Sequence, residues 1–336
     1  MSKSLDIAVV GASGTIGETI VQLLEERDFP VGNLHLLAGN ASAGQSLSFR
    51  GKNLRVRELT DFSFAQVQLV FCAVAEDVAR PHIEAAVAAG CSVVDLSGAL
   101  PLERAMRLVP EANGDSLIEA KPPFLLCSPA PAVVALATVL APLRDELEMH
   151  KVSLTAALSV SSLGRKGITE LARQTAELLN MRPLEPKVFD RQVAFNVLAQ
   201  VGGLEESGHA HMERRITDEL KQVMGIQGLK VAAACTQVPV FFGDSLCVSL
   251  QTAQAVDITA VAALLDGQAG IERVENSDYP TVVGDAVGQD EVYVGRLRTG
   301  LDDPAELNLW IASDNVRKGS ALNAVQIAEL LIKHYL

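Results

Sequence analysis

Aromatic residues are scarce in this chain: one tryptophan, three tyrosines and ten phenylalanines make up 4% of 336 residues. A reductase that uses a tyrosine with a lysine four residues later is excluded, because Tyr279, Tyr293 and Tyr335 all lack that lysine. Positive charge is also short, with 28 Lys and Arg against 41 Asp and Glu and a net charge of −13. That balance argues against a nucleic-acid or anionic-membrane surface. No apolar run reaches the ~20 residues a membrane span needs, and the first residues carry no signal-peptide pattern, so a cytoplasmic protein is expected. Cysteine is limited to Cys72, Cys91, Cys127, Cys235 and Cys247. None forms a C-x-x-C pair and all lie in or beside apolar segments, which predicts reduced core thiols. There is no internal repeat and no low-complexity linker.

The residues that are present suggest two domains, since one hydrophobic core rarely grows beyond ~250–300 residues. Leu5 to Val10 is an apolar run of the kind buried on both faces of a parallel sheet. Gly11-Ala12-Ser13-Gly14-Thr15-Ile16-Gly17 follows at once, and a helix is predicted from about Thr15 to Glu26. Glycines between a strand and a helix permit a tight turn and close approach to a phosphate at the helix N-terminus. The next strand, Leu34 to Ala38, should carry an acid for an NAD ribose or an arginine for an NADP phosphate. It ends instead in Gly39-Asn40-Ala41-Ser42, while Arg50, Arg55 and Arg57 follow on a predicted hairpin. Strands Gln68 to Ala73 and Ser92 to Leu96, with a helix from about Asp77 to Ala89 between them, complete a doubly wound parallel pattern. Asp95 serves equally well as a loop cap or as a functional carboxylate.

Leu125-Leu126-Cys127-Ser128-Pro129-Ala130-Pro131 reads as strand, tight turn and helix start. That is where an α/β protein places a nucleophile or an anion site, yet the turn offers no strong nucleophile. Beyond it, strands and helices alternate less regularly, as in an α+β domain with a mixed sheet. Expected elements are strands at Lys151 to Ser159, Leu229 to Val240, Asp244 to Ala255, Glu291 to Arg298 and Leu307 to Ala312. Helices are expected at Ile168 to Leu179, His211 to Met224 and Asp257 to Leu265. A final apolar helix, Gly319 to Tyr335, is expected to return to the first domain. Gly243-Asp244-Ser245-Leu246 matches the block that holds a serine-esterase nucleophile, but the D-x-x-H block it needs is absent. His209 and His211 lack further ligands for a metal, and Glu205, Glu206, Glu213, Arg214 and Arg215 read as a solvated helix face with ion pairs.

Several blocks together resemble the aspartate-semialdehyde dehydrogenase family over nearly the whole chain. They are Gly11 to Gly17, Leu36-Leu37-Ala38 with Ser42-Ala43-Gly44, Val109-Pro110-Glu111, Ala194-Phe195-Asn196-Val197, Val238-Pro239-Val240 with Gly243 and Ser245, and Asp314-Asn315-Val316-Arg317-Lys318-Gly319. The resemblance implies a Rossmann domain at 1–130 plus 317–336 and a dimerisation domain at 131–316. It also implies a homodimer and an NADP- or NAD-type cofactor held by Gly11, Ser13, Gly14, Thr15, Ile16 and Asn315. The family's catalytic cysteine corresponds to Pro131, its glutamine to Ala156, its histidine to Asp244 and a substrate arginine to Gln237. A second arginine corresponds to Pro101, the 2′-phosphate arginine to Ala41, and the Gly-Gly pair under the nicotinamide to Val74-Ala75. Loss of a nucleophile alone costs on the order of a millionfold in a comparable covalent mechanism. The expectation is a catalytically degenerate relative similar to the Usg-type paralogues, with weak or absent cofactor binding. Such a chain would act as a dimeric scaffold or regulator, with room for a protein partner. An NAD(P)-dependent oxidoreductase of altered chemistry is the alternative.

Overall fold

The computed structural model describes residues 4–119, 121–275 and 277–334. Tyr335, one of the tyrosines weighed above and the expected end of the final helix, lies outside the described residues. The chain divides into two compact units, Met1–Ala130 with Ser320–Leu336, and Pro131–Gly319.

In the first unit, β1 (Leu5–Val10), α1 (Thr15–Glu26) and β2 (Val31–Ala38) form the opening β-α-β crossover. A small hairpin follows, β3 (Ser46–Phe49) with β4 (Lys52–Arg55), and then the two-residue β5 (Arg57–Glu58). β6 (Leu69–Cys72), α2 (Glu76–Ala88), β7 (Ser92–Asp95), β8 (Met106–Arg107), the one-turn α3 (Pro110–Asn113) and β9 (Leu125–Cys127) complete the sequence up to residue 130. Among the described residues, seven strands make one sheet in the order β5-β2-β1-β6-β7-β9-β8, with every pairing parallel. Strands buried on both faces need apolar residues at successive positions, and β6 (Leu-Val-Phe-Cys) is buried throughout. One face packs on α1 through Ile20, Leu23 and Leu24 and on the chain's last helix through Val325, Ile327, Ala328 and Leu331. The other packs on α2 through Ala79, Ile83 and Ala86. That last helix runs Asn323–His334 behind a wider, π-type turn at Arg317–Leu322, not as one regular helix from Gly319. Its outer edge is tied to α1 by the bidentate pair Arg27–Glu329, at 2.7 and 2.8 Å.

The second unit opens with α4 (Pro131–Leu140), in which every residue after Pro131 is buried. A helix that is apolar all round belongs in a core. It packs against α6 (His211–Met224) and against strands of a six-stranded sheet. Those strands are β10 (Met149–Leu158), β11 (Lys230–Gln237), β12 (Asp244–Thr252), β13 (Ile271–Arg273), β14 (Val292–Thr299) and β15 (Glu306–Ser313). The order is β11-β10-β12-β15-β14-β13, with β10–β11 and β13–β14 parallel and the other pairings antiparallel. α5 (Gly164–Leu179) begins four residues before the expected Ile168. Glycines weaken the helical pattern there, but Gly167 is needed, because a Cβ on it would lie 2.2 Å from the Val160 carbonyl oxygen. α7 (Ile258–Leu265) is capped by the Asp257 carboxylate, which accepts from the Thr259 and Ala260 amides.

One reading of the second unit is corrected. Strand parity sends Leu246, Val248 and Leu250 inward and leaves Cys247 exposed between them, so Cys247 is not a core thiol. The charged side of α6 carries an ion pair of the expected kind, Arg214 with Glu205 at 2.8 Å, and beside it acids that are buried or bonded to the backbone. Glu219 is 1% exposed against Arg215 at 3.1 Å, and Glu213 accepts from the backbone amides of Ala210 and Cys235. The second of these bonds ties α6 to the edge strand of the sheet.

Candidate functional site

In the first unit the glycine turn is held by steric necessity. Gly11 has φ +86°, and a Cβ on it would stand 2.3 Å from the Ala73 carbonyl oxygen. A Cβ on Gly17 would stand 2.1 Å from the Gly11 oxygen. The amides of Gly11 and Ala12 both donate to the Leu37 carbonyl, which docks the turn on the last residues of β2. α1 starts at Thr15 with Gly14 as N-cap and no side-chain cap, so its first-turn amides face outward at the positive end of the helix. Gly11, Ser13, Gly14, Thr15 and Ile16 are thus brought together in a cradle of the kind that holds a phosphate. Val74 bears on the same cradle, with its Cγ1 2.8 Å from where a Gly11 Cβ would lie.

An acid does stand beside the end of β2, on the neighbouring strand. β5 pairs with β2 so that Glu58 lies level with Ala38. Its carboxylate accepts from Asn40 Nδ2 at 3.3 Å and from Thr60 Oγ1 at 3.1 Å. Of the three arginines expected on the hairpin, Arg57 lies instead on β5, over the Phe62 ring, and Arg50 at the hairpin turn donates to the carbonyls of Phe29 and Val31. Arg55 stands near Gly44, at the far end of the turn that begins with Asn40. At the centre of the sheet, Asp95 is a loop cap. Its Oδ1 accepts from the amide and hydroxyl of Ser97, and Oδ2 faces the Cys127 thiol at 3.8 Å. Ser128 is buried and accepts from Asn323 Nδ2 at 2.8 Å.

In the second unit, Pro131 is the first residue of α4 and packs on Gly319, where a Cβ would approach the proline Cβ to 2.6 Å. Ala156 is buried inside β10, opposite Cys235 and Leu246, two residues before the strand ends. It takes no part in the polar group at that end. Gln237 is 2% exposed and turns back on the backbone, its Nε2 donating to the Leu158 carbonyl at 2.6 Å. Asp244 opens β12, buried, and its Oδ1 accepts from the Ser159 amide at 2.9 Å and faces the Ser159 hydroxyl at 3.2 Å. Burial pushes this carboxyl up to about 7, with the nearby Asp314 adding to the rise and the Ser159 bonds opposing it. Asn315, 3% exposed, accepts from the Gly243 amide and meets both Ser159 Oγ and Ser161 Oγ. Asp314 accepts from the amides of Gly288, Val316 and Arg317.

These contacts join residues that sequence spacing could not connect, since Ser159 and Asp244 are 85 positions apart. The run of small residues at Ser159 to Gly164 marked a turn but carried no sign of its partners. The cysteines supply no activated thiol here. Cys127 is buried beside Asp95, and burial followed by the nearby Glu213 and Asp244 charges pushes Cys235 up to about 12. Among the described residues, no three His, Cys, Asp or Glu side chains gather as a metal site, and no helix is long and apolar enough to cross a membrane.

Comparison with known proteins bears out the resemblance read from the sequence. The family model for the semialdehyde dehydrogenase NAD binding domain matches residues 6–120, and that for the semialdehyde dehydrogenase dimerisation domain matches residues 140–318. A USG-1 protein homolog of Azotobacter vinelandii is 58% identical over 99% of both chains. A solved structure described as a probable aspartate-semialdehyde dehydrogenase from Pseudomonas aeruginosa superposes with a TM-score of 0.97 at 56% identity, covering 99% of this chain and 100% of that one. The aspartate semialdehyde dehydrogenase II of Vibrio cholerae, solved in complex with ASA, gives 0.96 at 35% identity with both chains fully covered. With these matches and the shared two-part fold, the chain belongs to the aspartate-semialdehyde dehydrogenase family.

Proposed function

We propose that this chain is a non-catalytic member of its family, a dimeric scaffold or regulator that keeps the fold without the parent reaction. The observation that carries this reading is Pro131, at the position where the resemblance expects the acyl-forming cysteine. A proline has no thiol, and its ring rests on Gly319. The surrounding positions support the same reading. Gln237 is bonded to the Leu158 carbonyl and offers no guanidinium fork, while Asp244 is an acid committed to Ser159 where a histidine would shuttle a proton. In this reading residues 1–130 with 317–336 form the dinucleotide-type domain and residues 131–316 the dimerisation domain. Any dinucleotide binds weakly, because Val74 crowds the glycine cradle and Ala41 stands where a phosphate-holding arginine is expected. The expected result with aspartate semialdehyde, inorganic phosphate and either NADP+ or NAD+ is no reduced cofactor above the uncatalysed background. Saturable turnover lost with Val74→Arg but not with a surface substitution refutes the proposal.

The outer face of the mixed sheet supports the dimer. Thr155, Cys247 and Trp310 lie side by side across β10, β12 and β15, next to Ser153, Ser249 and Asn308. Apart from Trp310 these side chains are short, and such a face can receive a second sheet, as in sheet-on-sheet packing. A self-complementary face is what a twofold dimer needs. Thr155→Arg is expected to convert a dimer to a monomer in light scattering; an unchanged mass refutes this face as the interface.

A further inference from the structure

A carboxylate, that of Glu58, is hydrogen-bonded to the stretch that follows β2, at Asn40. In a doubly wound sheet the adenosine ribose of a dinucleotide sits at the carboxyl end of the second strand, beside the glycine turn. Here three features are anchored on two residues of that strand. The glycine turn is bonded to the Leu37 carbonyl through the amides of Gly11 and Ala12. The Leu59 amide donates to the Ala38 carbonyl, which fixes β5 alongside. Glu58, level with Ala38, then reaches Asn40, the second residue past the strand. The carboxylate and the carboxamide therefore form a hydrogen-bonded pair at the rim where a ribose would lie.

The cations of this edge are placed elsewhere. Successive strand residues point to opposite faces, so Arg57 leaves the strand on the side away from Glu58, where its guanidinium lies over Phe62 beside His35. Arg50 is held by the carbonyls of Phe29 and Val31. Arg55 is nearest Gly44, with its Nη2 3.7 Å from where a Cβ on that glycine would lie. Thr60 is the remaining polar neighbour and donates to the second oxygen of Glu58.

We propose that Glu58, with Asn40, makes the adenosine end of this domain selective for a free ribose diol over a 2′-phosphate. The ligand class is an ADP-ribose moiety, as in NAD or ADP-ribose itself; the proposal rests on the reading that the glycine turn still receives a pyrophosphate. A carboxylate oxygen accepts a hydrogen bond from a 2′-hydroxyl. The same oxygen repels a 2′-phosphate, an effect on the order of tenfold or more in affinity for like charges a few ångströms apart near a protein surface. The crowding at Val74 bears on the glycine turn, which both ligands use alike, so it leaves the ratio between them unaltered.

The test is calorimetric titration of the full chain with ADP-ribose and with 2′-phospho-ADP-ribose, neither of which carries a nicotinamide. The expected result is ADP-ribose binding at least tenfold tighter. Glu58→Gln, which keeps the shape and removes the charge, should narrow that ratio several-fold. Asn40→Arg, an exposed substitution that places a cation beside Glu58, should move the preference toward the 2′-phosphate form by a comparable factor. Equal or tighter binding of 2′-phospho-ADP-ribose by the unaltered chain, as a capture by Arg55 would give, overturns the selectivity while leaving the glycine turn as a nucleotide site. A ratio unmoved by both variants assigns the discrimination to other residues and overturns the role of Glu58. Failure of both ligands to bind overturns the nucleotide site together with the proposal.

Discussion

Asp244→Asn isolates the energetic consequence of placing an acid at the buried end of β12. Asp244 has its carboxyl raised by burial from 3.8 to about 7 in the folded chain. Between those values the folded state keeps a proton that the unfolded chain has released, so stability falls as pH rises. The contribution is fully present below about 3.8 and is lost as pH rises through about 7. Converting that displacement at 1.36 kcal/mol per pH unit gives a ceiling of roughly 4 kcal/mol. Asparagine keeps an acceptor for the Ser159 amide and cannot ionise, but its NH2 group needs an acceptor of its own. The net gain for Asp244→Asn at pH 8.5 is therefore expected at roughly 2 kcal/mol, about half the ceiling. At pH 4 that gain is nearly absent while the cost of the NH2 group remains, so the variant is expected to be roughly 2 kcal/mol less stable than the unaltered chain. Trp310 is the chain's single tryptophan and lies on β15, so its fluorescence during urea unfolding follows the unit that contains Asp244. A two-unit chain need not unfold in one step, and the midpoint of the Trp310 transition is the quantity to compare. A difference that does not change with pH, or a variant less stable than the parent at pH 8.5, refutes the reasoning.

Other substitutions test the packing on which both units depend. Gly17→Ala puts a methyl 2.1 Å from the Gly11 oxygen and 2.8 Å from the Ala12 Cα. Both are backbone atoms that cannot swing aside, so a loss of about 1–3 kcal/mol is expected in urea unfolding followed by far-UV circular dichroism. An unchanged midpoint contradicts this. Arg215→Ala removes the guanidinium from Glu219, a carboxylate 1% exposed. Breaking such a pair from the cation's side is expected to cost about 3 kcal/mol, and Glu219→Gln in the same background should recover part of it. No recovery in thermal unfolding shows that the loss was one of packing.

The fold was legible wherever periodicity and apolar runs dominate. α6 spans His211–Met224 in the sequence reading and in the structure because its apolar residues recur at helical spacing. The parallel sheet followed from short apolar strands separated by helices. Contacts made across long sequence separations were not legible. Glu58 lies on a strand of two residues, too short to carry an alternation pattern, and only its pairing with β2 brings it to Asn40. Ser159 and Asp244 meet because β10 and β12 are antiparallel neighbours, a register that the residues do not announce. The exposure of Cys247 is legible from its position and not from its residue type, because the inward parity of its neighbours already points it outward. Of the positions assigned through the resemblance, Gln237, Asp244 and Asn315 meet one polar group at the ends of β10, β11 and β12, whereas Ala156 lies back within its strand.

The bonds around Asp244 also constrain the order in which this sequence can change. The amide of Ser159 is served by the Asp244 carboxylate, that of Gly243 by the Asn315 carboxamide, and those of Gly288, Val316 and Arg317 by Asp314. Side chains here do what a strand ladder does elsewhere, so each of these positions must remain an acceptor through any exchange. A histidine at 244 could serve the Ser159 amide only through an unprotonated ring nitrogen, which forbids the imidazolium form while that bond lasts. A change at 244 to a side chain without an acceptor is therefore tolerable only after Ser159 has found another one, and its cost differs on the two sides of that step. Substitution at this end of the sheet therefore follows an order, and an imidazolium at 244 is contingent on an earlier change that gives Ser159 another acceptor.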